Sequence, residues 1–421
     1  MRLMFSLIIT LLITLPSLAD SHESITVGEN DWPWWRGPNG NGVASANQNP
    51  PTEWSATKNI LWKAPIPGRG HASPIIVGDQ VILPTATNKQ QRVLCFNRNT
   101  GKLDWSTVVF QGGIMNGNRK VSQASCTMAC DGKRLYVNFL NGKEGSREGA
   151  AYTTALARDG KKLWTKKITD YVIHQGWGAS PLLYKHLIII AADNKKSGAI
   201  VALDRVTGDE VWRAKRPKKP NYPSPTIVHA NGREQLVFIG CDLVTSLQPL
   251  TGKSIWQFEG ATTECVSTTV TDGTHIYTSG GYPKNHVVAM RADGSGKIAW
   301  RNNERVYVPS MLFHDGYIYA VTDPGSAVCW KSGTGERGWK QKMGGAFSAS
   351  PILVGSNIYA VTEKGECLVF KADSTEFKLV AKNILGNEVL STPAICGSRI
   401  YMRVAHRTKD GRKEVLYCIG K

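Results

Sequence analysis

Six times in this chain a Gly is followed four residues later by a Trp: Gly101/Trp105, Gly160/Trp164, Gly208/Trp212, Gly252/Trp256, Gly296/Trp300 and Gly335/Trp339. Successive Trp residues stand 59, 48, 44, 44 and 39 positions apart. A self-similar unit of this length confines the chain to a repeat architecture, a propeller or a solenoid. Its content selects strands. The clearest copy is Ala202-Leu203-Asp204-Arg205-Val206-Thr207-Gly208-Asp209-Glu210-Val211-Trp212, a β-rich run, a polar turn ending in Gly, and a second run closed by Trp. Gly supplies the positive φ that a tight hairpin needs. The large ring four residues on has the area to wedge between neighbouring sheets. This is the pattern of a β-propeller blade.

A second landmark counts the blades. A Ser-Pro element opens an apolar run at Ser73-Pro74, Ser180-Pro181, Ser224-Pro225 and Ser350-Pro351, with looser versions at Ser125-Cys126, Ser267-Thr268, Pro309-Ser310 and Ser391-Thr392-Pro393. Each heads two short strands, and the pair around the Gly turn follows. Pro is tolerated at the first residue of a strand, where it removes no interior ladder bond. The eighth unit runs out after three strands, ending in Val415-Leu416-Tyr417-Cys418-Ile419. The missing outer strand is available at the other end, in Ile60-Leu61-Trp62-Lys63-Ala64, and makes Trp62 a seventh docking Trp. Such closure removes the open edges of the ring. The expected fold is therefore all-β, an eight-bladed propeller over residues 60–421. A seven-bladed ring plus a tail would leave Trp62 and the last three strands unpaired. The seventh blade, around Phe377, lacks its Trp.

Residues 1–19 read as a signal peptide. Met1-Arg2 is a small positive start, Leu3 to Leu15 is almost wholly apolar, and Ser17-Leu18-Ala19 is a small-residue cleavage pattern. The apolar run is short for a membrane span, and no Cys near Asp20 offers a lipid anchor. The expected address is periplasmic or extracellular, with residues 20–59 as a Trp- and Gly-rich extension before the ring. Nine Cys in an exported chain raise the question of disulfides. Cys95, Cys329 and Cys418 fall at matching places in their blades, and Cys126 and Cys130 are too far apart along a strand to bridge. They read as small buried hydrophobes. With no Cys-x-x-Cys, a zinc site is unsupported.

The net charge is +18. The loops between blades and between second and third strands share one face, and hold Arg119-Lys120, Lys143, Arg147, Lys195-Lys196, Lys215-Arg216, Lys218-Lys219, Arg407, Lys409, Arg412 and Lys413. A basic face favours an anionic surface or polymer, against the plainer reading of solvated loop charge. Nucleic acid is a poor partner for an exported chain, and no basic–aromatic stacking platform is present.

The unit Ala-Leu-Asp-x-x-Thr-Gly-x-x-x-Trp resembles the tryptophan-docking motif of the PQQ-like (pyrrolo-quinoline quinone) propeller repeat family, which includes quinoprotein alcohol dehydrogenases and the outer-membrane assembly propeller BamB. The resemblance covers residues 60–421. The leading Trp32-Pro33-Trp34-Trp35-Arg36-Gly37-Pro38-Asn39-Gly40-Asn41-Gly42 is similar to the start of exported PQQ-like propellers frequent in planctomycete bacteria. Fold alone does not settle function. The resemblance implies either a quinone held with calcium over a disulfide of adjacent cysteines, or a scaffold without a cofactor. This chain has no adjacent Cys pair and no haem motif Cys-x-x-Cys-His. The expected function is therefore non-catalytic: a scaffold for envelope proteins or a module for an anionic glycan or small ligand, with a PQQ- and calcium-dependent dehydrogenase as the alternative. Residues just before each inner strand converge on the channel mouth: His71, His174, Trp177, Tyr222, Glu264, Tyr307, Phe347 and Glu388. Aromatics and two carboxylates around a concavity suit a ligand pocket, although the same residues could fill the channel or bind water. Glu264 and Glu388 are the carboxylates a calcium ion would call on. No catalytic residue and no metal ligand is assigned.

Overall fold

A computed structural model describes residues 23–118 and 120–421. The expected signal peptide lies outside them, as does Arg119. Among the described residues thirty-two strands form eight four-stranded antiparallel sheets, each of four consecutive strands except the last. Blades 1 to 7 span 75–111, 129–172, 182–215, 226–259, 270–302, 312–342 and 352–384; blade 8 joins 394–419 to the N-terminal strand Ile60–Ile66. That strand pairs Trp62 with Cys418 and Ala64 with Leu416. The ring is an eight-bladed β-propeller closed between its two ends.

Burial follows the position of each strand. Inner strands such as Ile75–Val77 and Ile352–Val354 are three residues long and wholly buried. The third strand, packed on both faces by neighbouring blades, is buried along most of its length, as over Ala199 to Leu203 of Ala199–Asp204. Outer strands alternate: Ile60–Ile66 buries Trp62, Ala64 and Ile66 and exposes the residues between. All nine cysteines are buried and unbridged. Cys126 lies just ahead of the inner strand Ala129–Cys130 rather than on a strand with Cys130, as the sequence suggested.

The Gly and Trp of one motif are not each other's partners. Five of the Trp residues, Trp62, Trp105, Trp164, Trp212 and Trp300, cross to the Gly of the next blade: a Cβ at Gly252 would lie 2.5 Å from the Trp212 ring, one at Gly101 2.5 Å from Trp62, and one at Gly335 2.5 Å from Trp300. Gly252, at φ +67°, thus supplies both the turn and a seat with no room for a side chain. The indole N–H then donates to a turn carbonyl of that blade, Trp62 to Arg98 at 2.9 Å, Trp105 to Arg158 at 3.1 Å, Trp164 to Val206 at 3.1 Å and Trp212 to Pro249 at 3.0 Å. Trp300 reaches Ser332 and Trp339 reaches Asp373 in the same way. Trp62 therefore locks blade 8 to blade 1 with the contact used elsewhere. Trp256 differs: its N–H goes to Gln235 Oε1 at 3.0 Å, and Phe258 occupies the Gly296 seat.

Blade 7 solves its missing Trp from a distance. In several blades a Tyr on the second strand packs on the docking Trp, as in Tyr136/Trp164, Tyr277/Trp300 and Tyr319/Trp339. In blade 7, Ala381 stands opposite Val369, where blade 6 pairs Trp339 with Cys329. Tyr359 instead stacks on Trp54 of the N-terminal segment, centroids 6.4 Å apart. Trp54 is 4% exposed, and its backbone N–H is held by Asn383 Oδ1 at 2.7 Å.

The rest of that segment crosses the end of the channel where the inner strands finish. Trp32 forms a bridge with Ile76, Pro33 accepts from Cys130 N–H, Val43 bridges to Leu353, and Gln48 accepts from Ser398 N–H. Trp35 Nε1 donates to Thr268 Oγ1 at 2.8 Å, and Arg36 to the Met311 carbonyl at 2.6 Å. One end of the channel is thereby covered by residues that the repeat does not contain.

Candidate ligand site at the channel mouth

The Ser-Pro landmark turns out to be a hydrogen-bonded hoop around the channel. At six of the eight junctions the backbone N–H donates to the hydroxyl of the next blade: Ser73 to Thr127, Thr127 to Ser180, Ser180 to Ser224, Thr268 to Ser310, Ser310 to Ser350 and Ser350 to Thr392, all at 2.9–3.0 Å. In the looser copies Thr127, Ser310 and Thr392 supply the accepting hydroxyls and Thr268 takes part through its N–H, so Ser125, Ser267 and Ser391 are not the hoop residues. A buried N–H left unpaired would be costly, so the hoop fixes the spacing of the inner strands and of the residues before them.

Above this hoop lies a cavity of about 530 Å³. Trp35 enters its lining from the covered end, and Trp177, Tyr222, Tyr307 and Phe347 line its sides. Of the eight residues expected at the mouth, these four and His71 border the cavity, whereas His174, Glu264 and Glu388 do not. Lys120, noted in the sequence only as a basic loop residue, borders it too, as do Arg305, Asp323 and Glu363, which the sequence did not single out. The two carboxylates occupy one frame in successive blades, Val321-Thr322-Asp323-Pro324-Gly325 and Val361-Thr362-Glu363-Lys364-Gly365, after the second strand. That recurrence was the available signal.

Each mouth residue is positioned by named partners. Tyr222 N–H donates to the Cys265 carbonyl at 3.0 Å, and the preceding Asn221 is tied to Asp193 and the Ile239 carbonyl. Trp177 Nε1 donates to the Ala191 carbonyl at 3.0 Å, with Tyr171 against its ring. Asp323 accepts the Tyr307 N–H at 2.7 Å, and burial pushes its pKa up despite that bond. Glu363 accepts from Ser348 Oγ at 2.6 Å. Arg305 donates to the Gly281 carbonyl and lies over the Tyr307 ring, 5.3 Å from its centroid. His71 is kept neutral by burial, with Arg69, Arg403 and Arg412 adding to the downward shift.

Glu264 and Glu388 serve other ends. Glu264 is 6% exposed, pairs with His174 Nε2 at 3.2 Å, and has the Tyr307 hydroxyl 3.5 Å away. Glu388 takes Arg412 at 2.7 Å and also Arg407. Burial works against its charge, but the two guanidiniums outweigh it and hold the carboxyl below its usual range. Both glutamates form a β-bridge near the far end of the second strand of their own blade, Glu264 with Tyr282 just past it and Glu388 with Ala405 within it, as Arg69 does with Ala86. Their shared place is structural. Among the described residues no group of three or more His, Cys, Asp or Glu is placed to hold a metal ion. With both glutamates so committed and no vicinal thiols, the residues do not fit a calcium-held quinone, since calcium takes six to eight oxygens.

The basic loops are in part internally neutralised. Arg216 is buried against Asp193 at 3.0 Å, Lys219 pairs with Asp242 at 2.7 Å, and Arg407 and Arg412 share Glu388. Lys143, Lys195, Lys196, Lys409 and Lys413 are exposed. Arg216, counted among the loop charges in the sequence, is thus a core residue. Among the described residues no helix is long and apolar enough to cross a membrane.

No curated protein matches this chain. Among solved structures, BamB from Moraxella catarrhalis superposes with a TM-score of 0.59 at 15% identity, covering 85% of this chain and 99% of that one. A europium-containing methanol dehydrogenase gives 0.63 at 11%, covering 94% and 98%. Quinohemoprotein alcohol dehydrogenase from Comamonas testosteroni gives 0.62 at 12%, covering 92% and 80%. These likenesses show a shared fold, carried by BamB and by dehydrogenases alike. The sequence model described as outer membrane protein assembly factor BamB matches residues 38–146, 118–341 and 283–378, and the chain belongs to that family of PQQ-like repeat propellers.

Proposed function

We propose that this protein is an exported binding propeller without a catalytic centre, and that it holds a small hydroxylated ligand of saccharide type at the channel mouth, free or as the end of an envelope glycan. The observation that carries this reading is the cavity of about 530 Å³, floored by Trp35 and walled by Trp177, Tyr222, Tyr307 and Phe347. The size is that of a small-molecule pocket. Aromatic faces suit the C–H faces of a sugar ring, and Asp323, Glu363, Lys120 and Arg305 supply hydrogen-bonding groups of both signs to its hydroxyls. The cations admit an acidic sugar as well as a neutral one.

Titration of tryptophan fluorescence with a panel of neutral and acidic mono- and disaccharides tests this directly. Saturable binding is expected, weakened about tenfold or more in Glu363→Gln, because a hydrogen bond to a charged group is worth about 1.5–3 kcal/mol. A panel without any saturable member overturns it. A second reading rests on family membership: the BamB name denotes an assembly factor, and the exposed lysine loops surrounding the mouth could contact envelope proteins. Retention of a defined envelope protein by a sugar-blind propeller would favour that role.

A further inference from the structure

The Trp32–Gly42 segment does more than cover the channel, and its Arg36 has an unmet requirement. Arg36 is 1% exposed. Its Nη2 donates to the Asn41 and Met311 carbonyls, each at 2.6 Å, while Nε and Nη1 are buried without a hydrogen-bond partner. Among the described residues no carboxylate pairs with it: its downward pKa shift, to about 9, arises from burial alone. The group is still protonated at neutral pH. Other buried arginines here are compensated, Arg205 by Asp131, Arg216 by Asp193 and Arg403 by Glu414. A buried guanidinium with two idle donors and no counter-charge is strongly unfavourable. The surrounding chain is nonetheless built to hold it. Gly37 and Gly42, at φ +79° and +81°, pack against the Trp32 ring and the Arg36 guanidinium, where a Cβ would clash.

We infer that Arg36 is the anchor of a small-anion site in the covered end of the channel, at the level of Met311, which takes a halide or a carboxylate on Nε and Nη1. The anion supplies the missing charge and both missing acceptors. It sits next in sequence to Trp35, which lines the cavity, so an anion there also sets the potential beneath whatever the mouth binds. The site does not depend on the saccharide reading.

The test uses bromide. Wild-type protein is dialysed into gluconate, too bulky for a buried pocket, and melted while bromide or formate replaces gluconate at constant ionic strength. The expected result is a melting temperature that rises by about 2 °C per tenfold in bromide above its Kd, and no such dependence in Arg36→Met. Formate reproducing the rise identifies a carboxylate as an equal occupant; a flat formate series restricts the site to halide. Crystals of the wild type grown in bromide should show an anomalous peak within about 4 Å of Nε and Nη1, the range of an ion pair. This second arm decides the matter even if Arg36→Met does not fold. A flat bromide series together with no anomalous peak at Arg36 overturns the inference. Sugar binding without bromide binding sinks only this site; bromide binding without sugar binding sinks only the saccharide reading.

Discussion

The rim of the ring and its channel are built by opposite rules. At the rim one contact is repeated with small variations: a Trp laid on the glycine of the next blade, its N–H on that blade's turn carbonyl. At the mouth the stretches before the inner strands vary from blade to blade, and carry His71, Trp177, Tyr222, Tyr307 and Phe347 among others. Between them the hydroxyl hoop holds constant spacing. Positions that the repeat preserves hold the blades together, and positions where it breaks down are free to recognise something. Trp54 and the Trp32–Gly42 segment extend the lesson, because they come from outside the repeat and act where it is deficient, at blade 7 and at the channel end.

The comparison can be broken most severely at the closure. Deleting residues 59–66 removes the fourth strand of blade 8 and empties the Gly101 seat, so the ring should open, with aggregation or proteolysis of the C-terminal strands. A deletion variant that stays folded and monomeric would show that closure is dispensable. Next comes Trp212→Ala, which should cost about 3–5 kcal/mol, as for a large buried ring, with a lower melting temperature and ligand affinity intact. Trp54→Ala should cost about 3 kcal/mol, at the lower end of that range, because its indole N–H has no acceptor to lose. Hydrogen exchange should show the damage concentrated in blade 7. Equal loosening of all blades by Trp54→Ala would refute its role as the substitute docking ring.

The smallest expected effect is on pH. His71 has its folded pKa well below the usual 6.5, and His286 is pushed down to about 4 by burial with Lys284 nearby. Below about pH 6.5 the unfolded chain takes protons that the folded one refuses. Stability contributed by these residues is thus complete above that pH and is lost as pH falls towards the folded values. For His286 the full loss is about 3 kcal/mol. Urea titrations from pH 7 to 5 should show this decline, reduced in His71→Gln; a slope unchanged in that variant would remove His71 from the account.

The rim was legible in the sequence because its chemistry recurs at a fixed spacing: Gly208 and Trp212 announce a blade, and Trp62 could be placed by counting. Only the direction of docking was hidden, since spacing does not reveal that Trp212 sits on Gly252. The mouth was half legible. Position before an inner strand found His71 and Phe347, but it could not distinguish residues facing the cavity from those turned to neighbours, as Glu264 is to His174 and Glu388 to Arg412. Asp323 and Glu363 come from a different loop, and only their shared frame betrays them. Trp54 was beyond reach, because its partner Tyr359 lies 305 residues away by no repeat rule.

The central claim is that the channel, not the rim, is where this propeller meets its ligand. Native mass spectrometry of the full-length protein purified from its own host addresses it most directly, with Glu363→Gln prepared in parallel. The account predicts a non-covalent hydroxylated molecule or glycan fragment on the wild type, released on unfolding and depleted in the variant. A stoichiometric quinone with calcium, accompanied by dye-linked oxidation of alcohols or sugars, would contradict it.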